Sequence, residues 1–219
     1  MRDAETRSEW LHYTGECIAG PMRGRSLTML DTVLLSFAGF RSLHPDGTVT
    51  PPTGSWWRRL LGRVTGRRDL FHLTGMFRDT MAPPDPRLPE AEFGLGVVVG
   101  RRALHGGAQA KVRFYPNRRV REAQVVNDRV GDVPVVVAFD PTIGSAVAFV
   151  ATVGEEVLRF GPGEPGRMID EGSGSVFDLA GRALTGPRAG TRLAMAPGLS
   201  TRWYGFSQTY PGAPIWGAD

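Results

Sequence analysis

One pattern of residues occurs twice in this chain, and it restricts the fold more than any other feature. Residues 1–52 and 168–217 are two versions of one unit. At a constant offset, Gly15 matches Gly181, Gly20-Pro21 matches Gly186-Pro187, and Gly24 matches Gly190. Leu27, Gly39-Phe40 and Pro45 then match Leu193, Gly205-Phe206 and Pro211. Ahead of Gly15 the register slips by one residue, so that Met1, Asp3, Ser8 and Trp10 meet Met168, Asp170, Ser175 and Phe177. Glycine marks backbone that needs positive φ or a close approach, so shared glycines imply shared turns. Each copy reads as an Asp-containing turn, a short strand with an aromatic, a tight turn, and a strand ending at Gly-Pro. A further strand through Leu27 or Leu193 and a short helix complete it. In the first copy Asp31 is the expected helix N-cap, with Leu34, Leu35, Phe37 and Ala38 as the apolar stripe. In the second, the matching stretch is residues 200–210, with Trp203 and Phe206 facing inward.

Residues 93–167 precede the second copy and read as strand after strand: 94–100, 110–115, 123–127, 133–140, 145–152 and 156–160. The first copy begins at Met1 and has no such block before it, so the chain reads as starting in mid-repeat. With 29 Gly and 17 Pro, turns are frequent and strands short. The expected fold is mainly β, with antiparallel strands, Gly/Pro turns and one short helix per half-repeat. The expected organisation is a half-repeat at 1–52, a linker at 53–92 and a complete β unit at 93–219. The apolar residues Trp10, Leu34, Phe37 and Phe40 of the half-repeat need burial. A homodimer formed through residues 1–52 would supply it.

The linker has Pro-rich ends and a basic, aromatic centre. Trp57, Leu60, Leu61 and Val64 fall at helical spacing, with Arg58, Arg59, Arg63, Arg67 and Arg68 around them. With Trp56, such a helix could lie on an anionic membrane surface. The bland alternative is a Trp pair packed on the domain with solvated arginines, and Gly62 and Gly66 weaken a free-standing helix. No stretch has transmembrane length, and the N-terminus lacks the apolar core of a signal peptide. As written, the chain is expected in the cytoplasm, or exported if the true start lies upstream.

The net charge of +4 comes with a single lysine, Lys111, and no aromatic-basic platform, which argues against nucleic acid. The lone Cys17 excludes an intramolecular disulfide and a thiolate zinc site, and it reads as a small core residue. His12, His44, His72 and His105 share no metal-ligand spacing, and no cofactor is predicted. Gly94, Gly96 and Gly100 lie in a strand with no helix after them, which is the wrong context for a dinucleotide loop. The serines near Gly172 and Gly174 read as a flexible turn.

The candidate ligand-binding residues are Asn127, Asp128, Asp140, Arg118 and Arg119. Asn127 and Asp128 precede Gly131 and read either as ligand groups or as an Asx-type hairpin turn. Asp140 ends an apolar strand, where a carboxylate could act as base or ligand, or simply start an Asp-Pro turn. Arg118 and Arg119, with Arg121, form a basic cluster in an expected loop that could hold an anion.

Several short motifs occur together here: Tyr115-Pro116, Val126-Asn127-Asp128, Val133-Pro134-Val135, Gly144-Ser145-Ala146, Thr185-Gly186-Pro187 and Gly190-Thr191-Arg192-Leu193. Through them, residues 93–217 resemble the bacterial family known as domain of unknown function 3179. Residues 1–52 resemble the C-terminal half of the same domain through Trp10, Thr14-Gly15-Glu16, Ala19-Gly20-Pro21 and His44-Pro45-Asp46. The resemblance implies tandem units. The first of them would carry His-Glu before Val-Asn-Asp and Cys-Pro-Leu-Cys-Gly-Ser-Ala after the apolar strand, a credible metal or redox site. In this chain those positions fall on Ala123, Gln124, Asp140 and Ile143. The expectation is a non-catalytic binding or scaffold module. The alternatives are an enzyme or metal-handling protein using Asp140 with Asn127 or Asp128, and a peripheral membrane protein acting through Trp56, Trp57, Arg58, Arg59 and Arg63.

Overall fold

The structure is a computed structural model that describes residues 1–11, 15–28, 37–43, 45–49, 79, 82–100 and 111–218. The expected linker helix around Trp56–Arg68 and the N-cap Asp31 lie outside the described residues. The fold is mainly β, and among the described residues every pairing between strands is antiparallel. In chain order the elements are β1 (Glu9–Trp10), β2 (Cys17–Ala19), α1 (Phe37–Leu43), β3 (Phe93–Val99), β4 (Lys111–Pro116) and α2 (Asn117–Ala123). There follow β5 (Val125–Val130), β6 (Val133–Asp140), β7 (Ser145–Val150), β8 (Thr152–Val153) and β9 (Glu156–Val157). Last come β10 (Phe160–Pro162), β11 (Arg167–Asp170), β12 (Val176–Asp178), β13 (Ala183–Thr185), β14 (Gly198–Arg202) and α3 (Trp203–Thr209).

The sheet β5-β6-β7 is the middle layer. Val136, Ala138, Val147 and Phe149 on one face join Phe160, Met168, Phe177 and Leu193 from the β10–β13 region. Val135, Val137, Ala146 and Ala148 on the other face meet Leu95, Val97 and Tyr115 of β3 and β4. A sheet covered on both faces needs apolar residues at successive positions, which is why β6 and β7 read as unbroken apolar runs rather than alternating ones. Beyond β3 and β4 a third cluster packs Trp203, Phe206 and Tyr210 on Phe114 and Val98. Gly96 is bare because a Cβ there would lie 2.1 Å from the Phe206 ring.

The two sequence copies fold alike where both are described. β1 pairs β2 through Glu9↔Ala19 and Trp10↔Cys17, and β12 pairs β13 through Val176↔Thr185 and Phe177↔Ala183, with an irregularity at the same step. The one-residue slip is absorbed in the hairpin loop. Gly15 N–H reaches back to Leu11 O, four residues away, while Gly181 N–H reaches Asp178 O, three away. Within the described residues, α1 and α3 cover equivalent positions, Phe37–Leu43 and Trp203–Thr209.

Four local expectations are corrected. Arg118, Arg119 and Arg121 lie on α2 rather than in a loop; Val120 points its fully buried side chain inward and anchors that turn. Asn127 and Asp128 lie within β5, not in a turn. The reversal is the two-residue Gly131-Asp132 turn, with φ +60 at Gly131 as a type II′ turn requires. Phe37 and Ala38 are exposed rather than forming an inward stripe. Ser173 and Ser175 are not a loose turn: Ser173 Oγ donates to Asp170 Oδ2 at 2.5 Å and lies 2.8 Å from Ser175 Oγ, and Ser175 is fully buried.

Candidate functional site

The end of α2, the start of β5, the β6–β7 turn and the β10–β11 hairpin surround a cleft of about 440 Å³. Its walls include Arg121, Gln124, Phe139, Pro141, Arg167 and Leu179. Gln124 links the helix to the strand at φ 63 and ψ −53. This lies near γ-turn geometry that non-glycine residues rarely adopt. Two backbone bonds hold it there: Gln124 N–H donates to Val120 O (2.7 Å) and Gln124 O accepts from Phe139 N–H (2.9 Å). The Arg121 guanidinium lies 4.7 Å from the Phe139 ring centroid, a cation–π contact at the rim.

Asp140 and Ser145 face each other across β6 and β7, on the same sheet face as Ala138, which lines the cleft. Asp140 Oδ1 accepts the Thr142 N–H at 2.8 Å, so one carboxylate oxygen stiffens the turn. The Ser145 hydroxyl is buried and has no hydrogen-bond partner among the described residues. Ile143 is part of the core on this face.

The other expected site residues serve elsewhere. Asn127 pairs its side-chain amide with the Phe160 backbone in both directions, donating to O and accepting from N–H at 2.8 Å each, and so ties β5 to β10. Asp128 projects from the opposite face of β5. One nitrogen of Arg113, Nη1, donates to both its oxygens (3.0 and 2.9 Å), and Tyr115 Oη–H donates at 2.8 Å. Burial pushes the Tyr115 phenol well above its usual range, and the Asp128 charge adds to that. Arg119 donates to Trp216 O at 2.8 Å and holds the C-terminal segment. Arg118 is exposed. Asp128 sits opposite Val135, five residues from Asp140 along β6, on the order of 16 Å at strand rise. The two carboxylates therefore do not share a site. Among the described residues no group of three or more His, Cys, Asp and Glu could hold a metal ion.

A family model, Protein of unknown function (DUF3179), matches residues 1–69 and 106–218. The chain belongs to this family. No curated protein and no solved structure matches it. The positions that the resemblance gives to the DUF3179 thiols and His-Glu pair, here Asp140, Ile143, Ala123 and Gln124, fall at or beside the cleft, where Gln124 lines its wall. Sequence reasoning put most weight on Arg118 and Arg119, grouped Arg121 with them without singling it out, and passed over Arg167 and Ser145 as site residues. The signal for Arg121 was helical phase: reading residues 117–123 as a helix with Val120 inward would have separated the three arginines. Among the described residues, no helix is long and apolar enough to cross a membrane.

Proposed function

We propose that this DUF3179 member is a non-catalytic binding module whose ligand occupies the cleft between α2 and the β10–β11 hairpin. The supporting observation is the wall itself. The strained backbone at Gln124 and the stacked Arg121–Phe139 pair are both presented to this one cavity. Strained backbone persists only where its surroundings over-determine it, and it concentrates at ligand sites. The apolar lining of Phe139, Pro141 and Leu179, with Arg121 and Arg167 at the edges, suits a small molecule with an apolar body and one carboxylate.

Benzoate is a suitable probe. Titration followed by amide and arginine side-chain NMR should shift Gln124, Phe139 and Arg121 together, with a Kd of about 1 mM. Arg121→Ala should abolish the effect, and Arg121→Lys should weaken it by removing the planar fork. Uniform or absent shifts at saturating benzoate would overturn the reading.

A further inference from the structure

The two copies of the repeat agree in hydrogen bonding but differ sharply in what covers them. Met168 is 0% exposed, Leu193 3% and Trp203 0%; their counterparts Met1, Leu27 and Phe37 are 62%, 43% and 65% exposed. The difference is confined to one set of positions. Trp10 and Cys17 are buried like Phe177 and Ala183, and Ile18 is as exposed (39%) as Leu184 (40%). So the first copy has its own hairpin interior and the same solvent-facing positions. Among the described residues, what it lacks is a cover over Met1, Leu27 and Phe37.

The second copy shows what that cover is made of. Met168 and Leu193 pack in one cluster with Val136, Phe149 and Phe160, and Trp203 lies 5.1 Å from Phe114, ring to ring. Gly181 stays bare because a Cβ there would lie 2.8 Å from the Phe149 ring. Gly15 repeats that glycine with φ +73. Val136, Phe149, Phe160 and Phe114 come from the strand block of residues 93–167, and Arg87 and Leu88 just ahead of that block also pack on Trp203. In any copy of this chain that block is already covered by its own residues 168–209, so a second copy has none to offer. We propose that residues 1–11, 15–28 and α1 form a docking surface for a further strand block of this same fold, supplied from outside residues 1–219. Aromatics equivalent to Phe149, Phe160 and Phe114 would complete the first unit there as residues 93–167 complete the second.

The test uses the full chain extended at its N-terminus, through a flexible linker, by an added copy of residues 82–167 as the probe block. Amide hydrogen exchange across residues 15–28 should slow by about 100-fold toward the rates of residues 181–194. The same extension carrying Phe149→Asp and Phe160→Asp in the added block should give no slowing, and neither should the intact block on a Leu27→Asp chain. Exchange in residues 168–209 reports in every case that the second unit has folded. Absence of slowing with the intact block would overturn the proposal. So would a dimer of the unextended chain, by light scattering, that Leu27→Asp dissociates, because the occupant would then be a second copy.

Discussion

Gly186 and Gly190 offer a matched pair of substitutions that separates backbone strain from steric clash. Both have positive φ, +88 and +86. A Cβ at Gly190 meets nothing within 4 Å, whereas at Gly186 it would stand 2.7 Å from Ser175 Cα and 2.8 Å from Ser175 Oγ. Ser175 cannot retreat. It is fully buried, and its hydroxyl accepts the Arg188 N–H at 3.0 Å. Alanine at positive φ costs about 1–2 kcal/mol, less the roughly 0.4–1 kcal/mol recovered from the unfolded chain, so Gly190→Ala should cost about 1 kcal/mol. Gly186→Ala adds overpacking against backbone, about 2 kcal/mol more, for a total near 3. For a chain of this size that is a fall in Tm of about 3 °C for Gly190→Ala against about 9 °C for Gly186→Ala. Urea unfolding followed by circular dichroism, with an unchanged m value, would measure both. Costs within about 0.5 kcal/mol of each other would refute the assignment of the Gly186 contact as a rigid one. Gly20 repeats the geometry against Ser8 Cα, also at 2.7 Å, and Gly24 repeats the open position. The same ranking should appear locally in hydrogen exchange of the first hairpin.

Tyr115→Phe removes the hydroxyl bond to Asp128 and should cost about 1–2 kcal/mol in urea unfolding. Because the folded phenol resists ionisation, its contribution is complete below the ordinary tyrosine pKa of about 10 and is lost as pH rises beyond it; the variant should lose that alkaline dependence. Asp170 behaves oppositely. Burial raises its pKa, but hydrogen bonds from Ser173 and Arg188 outweigh that and hold it below the usual range. Its contribution is present above an unfolded value of about 3.9 and lost as pH falls below, so Asp170→Asn should flatten the acid limb of a stability–pH curve. Asp3 is held low chiefly by the Trp10 indole and then by Thr6, where Asp170 uses Ser173 and Arg188. NMR titration should find the Asp3 pKa raised in Trp10→Phe and lowered again when Met22→Arg is added. Gln124→Gly should stabilise the protein by about 1 kcal/mol by releasing the strain of its γ-turn backbone, read as a higher urea midpoint.

The repeat was legible because its signature is glycine and proline at fixed offsets, and turns are fixed locally. The apolar runs of β6 and β7 were equally legible, since a sheet buried on both faces leaves no polar position to break them. α2 was not. Its seven residues carry three arginines and only one fully buried side chain, Val120, so there is no stripe for a periodicity argument to find. Asn127 and Asp128 look like turn residues in isolation. They occupy a strand because one pairs with the Phe160 backbone and the other with Arg113 and Tyr115, partners 13 to 33 residues away that no local rule sees. The cleft was missed for the same reason: its lining comes from segments as distant as Arg121 and Leu179, and only the fold brings them together.

Hydrogen exchange on the intact chain, unmodified, bears most directly on the proposal that residues 1–52 are an uncovered half-unit beside a complete one. The comparison is between amides that make the same bond in each copy. Cys17 and Ala183 donate to Arg25 O and Thr191 O, both at 2.8 Å; Leu27 and Leu193 donate to Gly15 O and Gly181 O at 2.9 and 2.8 Å. Bond geometry alone predicts equal protection within each pair. Missing cover over Met1, Leu27 and Phe37 predicts that Cys17 and Leu27 exchange about 100-fold or more faster than Ala183 and Leu193, through local opening. Equal rates in both pairs would contradict it and show that the first copy is as complete as the second.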